Sequence, residues 1–119
     1  MTYTPAELII TTEHVGQNIV LRLAGELDLH NENRLREYLR TLLAEHEPDT
    51  LVLDLSELAF TDSTGLAVMV WTQKHLGRHG GHLELHHPQP PVQRVLQISG
   101  LADYLHLSPE VTSRTRDAR

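Results

Sequence analysis

The stretch from Leu51 to Leu66, LVLDLSELAFTDSTGL, leaves the chain few ways to fold. Val and Leu fill its first part, as they do in a strand covered on both faces. The apolar run from Leu66 to Trp71 is too long and too rich in helix formers for a loop. A buried strand, a short loop and the start of a helix are therefore expected in direct succession. Ser63 falls at the junction, where its hydroxyl lies beside helix N–H groups that lack an intrahelical partner and at the positive end of the dipole. Such a position suits a phosphoryl group. It equally suits a plain cap, since Asp, Ser and Thr are ordinary N-cap residues.

The rest of the chain repeats the alternation of strand and helix. Leu8–Thr12 and Asn18–Ala24 are apolar, β-branched runs joined by Val15-Gly16-Gln17, which predicts an antiparallel hairpin at a sheet edge. In the second run Ile19, Leu21 and Leu23 make one face apolar, and that face should meet helices. From about Asn31 to His46, Leu35, Tyr38, Leu39, Leu42 and Leu43 recur at steps of three and four, predicting a helix capped by Asn31 and ended before Pro48-Asp49. A strand over Thr50–Leu55 follows. The second helix is expected from about Thr64 to His79, stopping at Gly80-Gly81, with Lys74, His75, Arg78 and His79 near its negative end. A strand over His82–His86, a helix opened by Pro90-Pro91 and closed by a left-handed Gly100, and a short strand over Tyr104–Leu107 complete the pattern. The fold class is α/β: one mixed sheet of about five strands, its helices packed largely on one face.

At 119 residues the chain makes a single domain. No segment reaches the apolar length of a membrane span, and Met1–Pro5 lacks the features of a secretory signal. Without cysteine there is no disulfide framework or thiolate zinc site. A net charge of −6 argues against direct nucleic-acid binding, which needs concentrated positive charge. These features fit a cytoplasmic, partner-binding domain with no cofactor and no membrane insertion.

Three segments, in order, carry a resemblance. Val20–Asp28 (VLRLAGELD) resembles the second strand and Gly-Glu-(Ile/Leu)-Asp turn of the STAS domain family, named for sulfate transporters and anti-sigma factor antagonists. Leu53-Asp54-Leu55-Ser56 with Phe60–Leu66 (FTDSTGL) resembles the Asp-Ser-(Ser/Thr)-Gly-Leu core of its phosphorylated regulatory members, and Val92–Leu101 (VQRVLQISGL) resembles its third helix. The resemblance implies a STAS domain over residues 1–108 and an antagonist that binds an anti-sigma factor serine kinase, freeing a sigma factor. Phosphorylation of Ser63 by that kinase would end the binding, and a phosphatase could reset it. Family members usually continue into another helix, but Pro109–Arg119 offers only Val111 and Ala118 as apolar anchors, so a mobile tail is expected.

The resemblance also assigns residues. Ser63 is the phosphoacceptor, with Thr61 and Thr64 as flanking competitors. Asp28 matches the family aspartate that lies near the serine and helps engage the kinase; a turn residue before Asn31 is the alternative. Asp62 either supports the helix start or positions Ser63, and Thr64 shares the loop. Helical spacing places Ala67 and Trp71 on the Ser63 side as partner contacts, although a lone tryptophan also suits the core. Asp54 is expected to be structural. His75 and His79 stand at i, i+4, but no third ligand accompanies them, so no metal site is expected. Ser63 lacks a G-x-S-x-G setting and an identifiable base, so no catalytic residue is assigned and the chain is not expected to be an enzyme. The expected assembly is a monomer or weak dimer. The rival readings are a non-switching STAS adaptor or accessory subunit of a transport or stress-signalling complex, and a ligand-binding module.

Overall fold

The computed structural model describes residues 7–108. The elements in order are β1 (Leu8–Val15), β2 (Asn18–Leu27), α1 (Glu32–Glu45), β3 (Thr50–Thr61), α2 (Ser63–Gly77), β4 (His82–His86) and α3 (Pro90–Ser99). The sheet has the order β1-β2-β3-β4: the opening hairpin is antiparallel, and β2, β3 and β4 run parallel through the α1 and α2 crossovers. Parallel neighbours bring the C-terminal ends of β2 and β3 out side by side, which is what places the two turns of the site together.

Burying leucine drives this arrangement. Ile19, Leu21 and Leu23 of β2, Leu51, Leu53 and Leu55 of β3, and Leu83 and Leu85 of β4 alternate onto one face, where they join Leu35 and Leu39 of α1, Val68 and Met69 of α2, and Val92 and Leu96 of α3 in one continuous core. The opposite face is not covered by helices in the way the Val/Leu-rich reading of β3 implied. Val52 and Asp54 on it are half-buried and Ser56 is exposed. Arg22 bridges Glu13 (3.2 Å) and Asp54 (3.4 Å) across that open face. Asp54 also accepts the Ser56 N–H (3.0 Å), in keeping with a structural role. Burial alone would raise the Asp54 carboxyl, but the Ser56 hydrogen bonds, with His87 and Arg22 nearby, hold it below its ordinary value.

Strand β3 is longer than expected, continuing to Thr61 where a loop after Leu55 was read. The residue alternation breaks at Ser56-Glu57, both exposed, because the β2–β3 pairing has irregularities between Arg22 and Ala24 and between Gly25 and Glu26. Beyond the break Leu58 and Thr61 return to the core. Gly25 permits this with φ +105, and a Cβ there would lie 1.9 Å from the Glu7 carbonyl oxygen.

Other boundaries moved less. Helix α2 begins at Ser63 and ends at Gly77. Pro90 and Pro91 open α3, and Gly100 closes it at φ 78. Tyr38, read as part of the buried stripe of α1, is instead exposed, with its hydroxyl against that of Thr12. The final strand over Tyr104–Leu107 reduces to turns plus one parallel bridge from Leu107 to Leu85. The tail expected at 109–119 lies outside the described residues.

Candidate functional site

Leu27 and Thr61, the last residues of β2 and β3, are register partners, and the Asp62 N–H donates to the Leu27 carbonyl (3.2 Å). The turns into α1 and α2 therefore start in contact. Asp62 is the N-cap of α2: its carboxylate accepts the N–H groups of Thr64 (2.9 Å) and Gly65 (3.2 Å) and the Thr64 hydroxyl. The backbone of Leu29 in the neighbouring turn also faces this carboxylate and helps to lower it. Burial would raise the Asp62 carboxyl, but these hydrogen bonds, led by that from the Thr64 hydroxyl, outweigh burial and lower it.

Gly65 is demanded by close packing. A Cβ there would meet Thr61 Oγ1 at 2.2 Å and the Leu27 side chain at 2.8 Å.

Ser63 is the first residue of α2 and is exposed. Because Asp62 caps the helix, the Ser63 hydroxyl makes no hydrogen bond to any described residue, and neither does its backbone N–H. The flanking hydroxyls differ. Thr64 donates to Asp62, and Thr61, only 1% exposed, donates to the Asp62 carbonyl (3.3 Å).

Asp28 heads the turn between β2 and α1, where its carboxylate accepts the His30 N–H (2.9 Å) and lies 3.5 Å from His30 Nδ1. Asn31 does not cap α1 with its side chain, contrary to expectation. Its Oδ1 accepts the Asp28 N–H (3.0 Å) and its Nδ2 donates to the Glu26 carbonyl (2.9 Å), because the bulged end of β2 leaves those backbone groups facing it. Asn31 thus braces the segment that carries Asp28.

Ala67 is exposed on the helix face beyond Ser63. Trp71 is half-buried against the core, with the Arg40 guanidinium 5.9 Å over its ring and His75 at 5.3 Å, so only part of the indole faces outward. Leu29 (71% exposed) and Phe60 (43%) were missed by the sequence reading. The available signal was position: a leucine directly after Asp28 and a phenylalanine at the polar end of β3. Among the described residues no group of three or more His, Asp or Glu side chains is arranged to hold a metal ion.

A model of the STAS domain matches residues 9–114. The chain belongs to the STAS domain family. An anti-sigma F factor antagonist of Paenibacillus polymyxa is 35% identical to this STAS domain over 94 residues, covering 79% of this chain and 80% of the relative. The unphosphorylated anti-sigma factor antagonist SpoIIAA superposes with a TM-score of 0.74 at 28% identity, covering 88% of this chain and 92% of that one. The phosphorylated form of the Bacillus cell fate determinant SpoIIAA superposes with a TM-score of 0.66 at 27% identity, covering 88% and 96%. No helix of the described STAS domain is long and apolar enough to cross a membrane.

Proposed function

We propose that this STAS domain is an anti-sigma factor antagonist of the cytoplasm that binds an anti-sigma serine kinase and is switched off by phosphorylation at Ser63, controlling sigma-factor release. The observation that carries this reading is the transfer of capping to Asp62, which leaves Ser63 exposed with an unengaged hydroxyl while Thr61 and Thr64 are occupied. A helix that needed Ser63 as its cap would resist the modification; this one does not need it. Phosphorylation adds about −1.5 to −2 charges at neutral pH. The helix terminus attracts that charge while Asp62 and Asp28 repel it, so the effect falls on the surface rather than the fold. The exposed Leu29 and Phe60 supply apolar contact area around the acceptor, and Asp28, Thr64, Ala67 and the outer edge of Trp71 complete the partner face. Ser63 is a substrate here, and the kinase supplies the base and the nucleotide. A phosphatase restores binding.

The test has two parts. Protein purified from its own cells carries phosphate at Ser63 by mass spectrometry, and Ser63→Ala takes up none from the kinase and ATP while remaining folded. Phosphorylated protein binds the kinase more weakly than the unmodified form. Equal binding by both forms refutes the switch and leaves a non-switching adaptor.

A further inference from the structure

The sheet's two edges are finished differently. Beside β4 the chain returns after α3, so that the Leu85 N–H donates to the His106 carbonyl (3.1 Å) and the Ser108 N–H donates to the Leu85 carbonyl (2.9 Å). Along β1 no backbone group among the described residues bonds to the outer edge. Of the devices that usually protect such an edge, β1 carries only one charged side chain, Glu13, which is paired with Arg22 of the neighbouring strand. β1 (LIITTEHV) contains no Lys and no Pro, and its register with β2 runs without a bulge from Leu8 opposite Gly25 to Val15 opposite Asn18. Its β-branched residues, Ile9, Ile10, Thr11, Thr12 and Val15, suit further strand pairing.

We propose that β1 pairs antiparallel with β1 of a second copy of this chain about a two-fold axis through Thr12, joining two sheets into one continuous sheet. A two-fold axis perpendicular to the sheet opposes residues of the same face, which restricts the registers to those centred on a residue. Centred on Thr12, the half-exposed Ile9 (57%) of each copy faces the half-exposed Val15 (51%) of the other, and Glu13 faces Thr11. Centring on Thr11 sets Ile9 against Glu13. Centring on Ile10 opposes Glu7 to Glu13, and centring on Glu13 opposes that residue to itself, both like-charge contacts that destabilise a pair. Among the registers that overlap most of β1, charge and apolar matching therefore favour the one centred on Thr12. On the helix side the exposed Tyr38 touches Thr12, so the two copies' tyrosines flank the axis.

The chain has no cysteine, which makes the register directly testable. Opposed residues on antiparallel strands have Cα atoms about 4.5–5.5 Å apart, within disulfide range. Mild oxidation of Thr12→Cys yields a covalent dimer, whereas Thr11→Cys and Glu13→Cys, which do not meet themselves, cross-link far more slowly. Sedimentation equilibrium of the unmodified chain gives a concentration-dependent dimer, and Val15→Lys raises its dissociation constant about tenfold or more. At concentrations where both chains are monomeric, Val15→Lys melts as the unmodified chain does, which separates loss of pairing from loss of fold. A wild-type chain that stays monomeric up to millimolar concentration, or Thr11→Cys cross-linking as fast as Thr12→Cys, overturns the proposal.

Discussion

Two strand-to-helix turns stand side by side at the end of the sheet, and each carries an Asx residue where its helix begins. In the turn into α2, Asp62 commits its carboxylate to the helix, accepting from Thr64 and Gly65. In the turn into α1, Asn31 turns away from its helix and holds the backbone of Glu26 and Asp28. Similar side chains at similar positions do different work because they meet different neighbours. One turn ends in a rigid, capped helix start with a spare serine. The other is an internally braced loop presenting Asp28.

The largest effect should come from the tightest point of the capped turn. Gly65→Ala drives a methyl group into Thr61 and Leu27 and is expected to cost about 3 kcal/mol by the overpacking measured in other cores, read from urea unfolding. Wild-type stability would show that the two turns are not in firm contact.

Asp62→Ala comes next, at about 2 kcal/mol, since it removes a cap that holds two backbone N–H groups and the Thr64 hydroxyl. The same residue predicts an acid dependence. Its folded carboxyl is lowered, so its contribution is complete above the unfolded value of about 3.9 and is lost as pH falls through the lower folded value. Asp62→Asn should therefore flatten stability against pH in that acid window, measured by thermal melts.

Asn31→Ala should cost about 1 kcal/mol through its hydrogen bonds to the turn. The sharper variant is Asn31→Ser. Serine is a good cap, so it would restore stability if Asn31 served α1, and it should fail to do so if the bracing of Asp28 is what matters.

Asp28→Asn has the smallest effect on stability, within about 0.5 kcal/mol as for most half-exposed positions. It should nonetheless slow phosphorylation of Ser63 or lower kinase affinity, measured on folded protein. A loss of stability with an unchanged phosphorylation rate would make Asp28 a turn residue like Asn31, and the functional difference between the two turns would disappear.

Much of this architecture was legible because short-range patterns carry it. Apolar residues at alternate positions of β2 announced a buried sheet face, the three-and-four spacing of α1 announced its helix, and Pro90-Pro91 with Gly100 bracketed α3. The place of Ser63 at the strand-to-helix junction was legible from the local pattern and motif together. The extension of β3 was not, since Ser56-Glu57 break the alternation as a loop would, and only pairing with β2 across a bulge makes them strand. Leu29 and Phe60 were missed because exposure of a single apolar residue leaves no periodic trace.

By itself the sequence determined the strand and helix order, the leucine face of β2 and the place of Ser63 at the head of α2, because each depends on residues near one another along the chain. Tertiary structure alone decided which Asx residue caps a helix with its side chain, and that Thr61 and Thr64 are engaged while the Ser63 hydroxyl is free. Those outcomes depend on donors and acceptors brought together by the parallel pairing of β2 with β3. A hydrogen bond between distant segments has no local signature, so its geometry exists only once the sheet has formed.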